Sequence, residues 1–194
     1  MRDPDLLSAL APVLRVLRDL GVRHFVGGSI ASSSHGVARS SVDGDVVAEL
    51  AARRVAPLVS ALEETYYVPE ERIRDAVARR RSFNLMHLES MLKIVVFVSR
   101  DRPFDRRACD RSLPASLAGE GGTALPVCSA EDTVLAKLEW YRGEVSERQW
   151  TDVLGVLRAA EGALDLGYLR QGAVELRVGD LLDRALDEAG PAPS

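Results

Sequence analysis

Lysine is almost absent from this 194-residue chain: of 25 lysines and arginines only Lys93 and Lys137 are lysine. Arginine cannot replace a compact, titratable ammonium, so those two positions stand out. Cysteine and histidine are as scarce, with Cys109, Cys128 and three histidines in all. No Cys/His set has metal-ligand spacing, which argues against a zinc site or a disulfide framework. No apolar run approaches the ~20 residues of a membrane span. The start, Met1-Arg2-Asp3-Pro4-Asp5, lacks the organisation of a signal peptide. A cytoplasmic protein with no membrane partner is the expectation. The net charge of −4 exerts no general pull on nucleic acid. Two stretches, Arg72 to Arg81 and Arg100 to Arg111, are locally basic, and an RNA ligand would have to use them.

What is present is an ordinary soluble composition, 46% hydrophobic and 28% charged, in a chain long enough for one sizeable core. One segment, His24 to Glu49, concentrates the chemistry. His24-Phe25-Val26 reads as a strand, Gly27-Gly28-Ser29 as a tight turn, and Ile30 to His35 as a short helix, an arrangement that suits an anion. Asp43 and Asp45 follow, two apart before Val46-Val47. On an extended backbone both side chains leave one face, about 6.6 Å apart along the strand, and can share a magnesium ion with a triphosphate. Asp43-Gly44 is also a common hairpin-turn dipeptide, so a turn is the competing reading.

Elsewhere, period and punctuation set out the elements. Asp5 to Leu20 has the spacing of an amphipathic helix closed by Gly21, and Ala51 to Glu64 resumes that spacing. Tyr66 to Val68 is a short strand and Pro69 to Arg81 a helix. Ser82 to Leu88 and Leu92 to Val98 form an antiparallel hairpin. Arg100 to Thr123 reads as loop or irregular helix, and Ala124 to Val127 as a last strand. Helices then begin behind Ser129 and Ser146, with two more at Leu166 to Glu175 and Gly179 to Glu188. The fold class is α+β: a mixed β-sheet flanked by helices over residues 1–128, with a C-terminal helical bundle over 129–190 packed on it.

Gly27-Gly28-Ser29, His35-Gly36, Arg39-Ser40 and Asp43-x-Asp45 resemble the signature of the polymerase β type nucleotidyltransferases. The similarity continues through Ser82 to Glu89, Leu92-Lys93-Ile94 and Ser129 to Leu138, and it is nearest to the AbiEii-like and minimal nucleotidyltransferases. It implies transfer of a nucleoside monophosphate from a magnesium or manganese nucleoside triphosphate to a hydroxyl acceptor. The acceptor would be RNA, including transfer RNA, or a small molecule such as an antibiotic. It also implies a toxin paired with an antitoxin protein.

Residue by residue, the resemblance makes Asp43 and Asp45 the metal carboxylates and Gly27, Gly28, Ser29 and Arg39 the nucleotide contacts. Lys137 and Asp152 are carried over to nucleotide binding or transfer, set against a surface ion pair between adjacent helices as the plainer reading. Two positions depart from the pattern. Val95 stands where a third carboxylate belongs, and Gly44 where a branched apolar residue is expected. Neither Glu49 nor Glu89 can substitute, because strand geometry displaces each too far. Nucleotide binding should therefore survive better than catalysis, and a fold that only binds nucleotide or a protein partner is the alternative. Trp140, Tyr141 and Trp150, at helical spacing, are expected in the core.

Overall fold

A computed structural model of the chain describes residues 4–37, 43–116, 124–160 and 162–190. Helix α1 (Pro4–Asp19) buries Leu6, Leu10, Val13, Leu14 and Leu17 on one stripe, and Gly21 turns the chain at φ +65°. Strand β1 (His24–Val26), the two-turn α2 (Gly28–Ser34) and β2 (Asp43–Ala48) follow. Asp43, Gly44 and Asp45 lie in paired strand, so the hairpin-turn reading is overturned. A short 3-10 turn leads into α3 (Val55–Leu62), then come β3 (Tyr66–Tyr67), α4 (Glu70–Arg79), and the hairpin β4 (Ser82–His87) and β5 (Lys93–Val98).

The stretch expected to be irregular holds two regular elements, α5 (Pro103–Asp110) and β6 (Leu113–Ser116). Pro103 at the first helical turn and the Asp105 carboxylate accepting the Arg102 N–H at 3.1 Å start α5. Pro114 faces Pro126 across β6 and β7 (Ala124–Val127), and prolines in an outer strand conceal it from a propensity reading. Helices α6 (Ala130–Gly143), α7 (Glu147–Ala159), α8 (Leu166–Glu175) and α9 (Gly179–Ala189) complete the described chain.

Among the described residues the sheet has seven strands in the order β3-β4-β5-β2-β1-β7-β6. Its centre is mixed: β2 runs parallel to β5 and antiparallel to β1, and β1 runs parallel to β7. Side chains alternate along β2 and β5. Gly44, Val46, Ala48, Ile94, Val96 and Val98 are buried against the helical layer that contains α1. Asp43, Asp45, Val47, Lys93, Val95 and Phe97 occupy the opposite, partly open face. Helix α6 stands over that second face, with Trp140 against Phe97 and Lys137 near Asp45. Gly36 and Gly155 make close contact possible between the end of α2 and α7, because a Cβ on either would meet Ala159 or Val37 within 2.7 Å. The fold is thus α+β, a mixed sheet flanked by helices with a helical C-terminal part.

Candidate functional site

Strand pairing decides what each carboxylate faces. Asp43 is opposite Lys93, whose Nζ lies 3.1 Å from Asp43 Oδ2. Asp45 is opposite Val95, and Val95 is opposite Asn84 on β4. The side chain beside Asp45 therefore carries no oxygen, as the sequence pattern suggested. Gly44 points to the other face, where a Cβ would come 2.9 Å from Ile94 Cδ1 and 3.3 Å from Leu10 Cδ1. The missing branched residue is thus replaced by close docking of α1.

The turn between β1 and α2 is built onto β2. Gly27 N–H donates to the Asp45 carbonyl at 3.0 Å. Gly28 has φ +56°, and a Cβ there would fall 1.8 Å from Asp45 Oδ2, so only glycine fits beside that carboxylate. The Ser29 N–H donates to the Asp45 carboxylate, and Ser29 itself is buried. Burial, then the Asp43 charge, pushes the Asp45 carboxyl above the ordinary range, opposed by Lys137, the Ser29 N–H and Lys93. The backbone donor expected to meet an anion is engaged by the strand's own carboxylate. Arg39 lies outside the described residues.

Lys137 and Asp152 form an ion pair of 2.8 Å, with side chains only 7% and 4% exposed. The surface-pair reading is wrong on burial. Lys137 Nζ also donates to Gln149 Oε1 at 3.0 Å, so α7 supplies two acceptors to one ammonium on α6. Helix α6 is held in place by Ser129, whose Oγ accepts the Asp132 N–H. Asp132 is buried and accepts from Tyr168 Oη at 2.5 Å, which ties α8 to α6.

Gly27, Gly28, Asp45, Lys137 and Gln149 line one end of a cavity of about 570 Å³, within the range of small-ligand sites. Its walls continue past Phe97 and Trp140 to arginines at the far end. Trp140 is 53% exposed and meets Phe97 edge-on at 5.7 Å, which corrects its expected place in the core. Trp150 is buried, against Tyr141, as expected. Gln149, Lys93 and the arginines were not among the predicted site residues. Lys93 could have been found from the scarcity of lysine and its place two residues before Val95.

No set of three or more His, Cys, Asp or Glu positioned for a metal occurs among the described residues. Asp43 and Asp45 offer two oxygen donors from one strand, which suits a single hard cation whose other ligands are phosphate oxygens and water. Among the described residues Val95 offers no ligand for a second ion, and the Lys93 ammonium meets Asp43.

The architecture is that of nucleotidyltransferases. The antibiotic-resistance factor ANT(2'')-Ia superposes with a TM-score of 0.58 at 12% identity, over 94% of this chain and 96% of its own. It has also been solved with adenylyl-2''-tobramycin, in a structure matching at TM-score 0.51 and 13% identity, over 88% of this chain and 96% of its own. An antigenic nucleotidyltransferase-like protein from Paracoccidioides brasiliensis matches at 0.54 and 16% identity, covering 98% and 96%. MenT4, a nucleotidyltransferase toxin from Mycobacterium tuberculosis, matches at 0.52 and 19% identity, over 92% of this chain and 65% of its own. No protein-family model and no curated protein matches the chain.

Proposed function

We propose that this chain is a nucleotidyltransferase of the polymerase β type, in the AbiEii-like branch, moving a nucleoside monophosphate from a triphosphate to a hydroxyl. The observation that carries the reading is the convergence of Gly28, Asp45 and Lys137 on one cavity, with Asp43 on the same face of β2. Asp43 and Asp45 would hold a magnesium or manganese ion, which when bound neutralises the triphosphate and polarises the phosphorus under attack. Lys137 counters charge building on the phosphate oxygens, and Asp152 with Gln149 fixes its ammonium. The Gly27-Gly28 turn keeps the carboxylate close to the start of α2 without a side chain between them. Arg39 is assigned to the nucleotide through the sequence resemblance. The acceptor is RNA, such as transfer RNA, or a small molecule. The likeness to a toxin supports a toxin partnered by an antitoxin, and the likeness to a resistance factor supports antibiotic modification.

A second reading, a nucleotide- or protein-binding module without transfer activity, is favoured by Val95 beside Asp45 and Lys93 on Asp43. Calorimetric titration of each nucleoside triphosphate, with and without magnesium, tests the nucleotide site. Magnesium-dependent binding lost in Asp43→Ala and Asp45→Ala supports it, and affinity indifferent to those changes removes the carboxylates from the site. Transfer of labelled nucleotide then separates the enzyme from the binding module.

A further inference from the structure

We propose that the arginine-lined end of the cavity is the acceptor subsite, and that it takes a phosphate-bearing hydroxyl compound rather than a polycation. This rests on nucleotidyl transfer at Asp45, and it names the class of acceptor. The two basic stretches of the sequence converge here. Arg80 and Arg81 arrive at the end of α4, while Arg100 and Arg102 follow β5, and all four line the cavity. From the level of Asp45 and Val95, four strand residues along β5 lead to Ser99, about 13 Å away. Between the two ends lie Phe97 and the half-exposed Trp140, an apolar surface on which a sugar or base can rest.

Charge decides the class of ligand. Besides Asp45, the carboxylates lining the cavity are Asp132, which Tyr168 and Arg111 hold, and Asp105 and Glu139, which lie beside the arginines. Arg102 engages both, with Nη2 at 2.8 Å from Asp105 Oδ1 and 3.0 Å from Glu139 Oε2. Arg100 reaches Glu139 only at 3.5 Å, and its side chain is largely exposed. Arg80 donates to the Ser99 carbonyl at 2.7 Å, a neutral partner. The Arg81 guanidinium has no ion-pair or hydrogen-bond partner among the described residues. Four guanidiniums thus face two carboxylates, and the excess is positive. A planar guanidinium presents paired N–H groups suited to phosphate oxygens, whereas a polyamine would meet repulsion.

The backbone supplies an independent sign. Arg80 closes α4 in the left-handed region, φ +51° and ψ +48°, where glycine is the usual occupant. The chain keeps an arginine there despite the steric cost of that conformation, and the strain coincides with the wall of a cavity.

The test is calorimetric binding of three probes to the full chain: a trinucleotide of RNA with a free 3′-hydroxyl, ribose 5-phosphate, and tobramycin. Expected is binding of one or both phosphate probes, weakened at least about tenfold in Arg81→Ala and Arg80→Gly, as loss of a charged hydrogen bond implies. Arg80→Gly relieves the strained cap, so its melting temperature should stay level or rise while affinity falls. That pairing separates a binding role from a structural one. Trinucleotide binding without ribose phosphate binding assigns the subsite to nucleic acid, and the reverse to phosphorylated small molecules. Tobramycin binding better than both, or phosphate-probe affinity untouched by the two substitutions, overturns the proposal. Magnesium nucleotide binding is read on the same wild-type protein. If it is absent while the arginine-dependent probe binding holds, the nucleotidyl-transfer reading fails and the anion subsite stands.

Discussion

Replacing Lys137 by methionine removes the ammonium that Asp152 meets at 2.8 Å and leaves a carboxylate only 4% exposed without that counter-charge. Gln149 loses the same ammonium, and a neutral amide cannot balance a charge. Breaking a buried pair on one side costs about 3–5 kcal/mol, against about 0–1 kcal/mol for an exposed pair. In a chain of this length each kcal/mol moves the melting temperature by about 2–4 °C, so the loss should be roughly 6–20 °C by calorimetry. The double change Lys137→Met with Asp152→Leu removes both charges and should recover most of that stability. Nucleotide affinity should not recover with it, because the ammonium proposed to meet the phosphates is still gone. The reasoning is refuted if Lys137→Met costs no more than an exposed pair. The functional assignment of Lys137 is refuted if the double variant binds magnesium nucleotide as the parent does.

Gly28→Ala should lose about 1–2 kcal/mol from the left-handed backbone alone and more from the collision with Asp45. Gly27→Ala, whose Cβ meets nothing within 4 Å, should stay within about 0.5 kcal/mol, and equal urea midpoints for the two would sink this account of the turn. Asp45→Asn should raise thermal stability at neutral pH, since folding lifts the Asp45 carboxyl out of its ordinary range and so disfavours its charged form. The contribution of a raised carboxyl is whole below its unfolded value and is lost as pH rises through the folded one. The variant's advantage must therefore vanish toward acid, and a constant advantage across pH would contradict the burial argument. Val95→Asp should destabilise the metal-free protein through like charge beside Asp45 and gain manganese affinity by titration. If it gains neither ion affinity nor transfer rate, position 95 does not limit the chemistry.

The carboxylate face was legible because strand periodicity is two: Asp43 and Asp45 had to share a side once β2 was recognised. The place of Val95 came from the family resemblance, and the parallel register of β2 on β5, which no local pattern announces, sets it opposite Asp45. The burial of Lys137 was not. Helix α6 buries Glu131, Asp132 and Lys137 together with Leu135 and Leu138, so polarity along it does not mark the solvent side. The charged groups are satisfied by residues far along the chain, Arg111, Tyr168 and Asp152. The arginine end was hidden for a similar reason. Its members come from the ends of α4 and β5 and the start of α5, which no local pattern brings together. Helix α5 and strand β6 escaped because prolines and mixed charge resemble a loop until the Arg102–Asp105 cap and the β7 pairing are known.

The resting site is paired within itself. Asp43 holds Lys93, Asp45 holds the Ser29 N–H, and Lys137 holds Asp152 and Gln149. A bare triphosphate arriving at Asp45 would find both ammonium groups already partnered and two carboxylates repelling it. Asp43 and Asp45 would hold a divalent cation, whose charge would offset theirs toward the phosphates. Magnesium should therefore govern affinity. The acceptor hydroxyl would gain little from the sheet, since the side chain next to Asp45 on the neighbouring strand is an isopropyl group. On the proposed function, affinity would rest with the Asp43 and Asp45 pair and the limit on chemistry with Val95. Substitutions at these positions should move magnesium-linked binding and transfer rate separately.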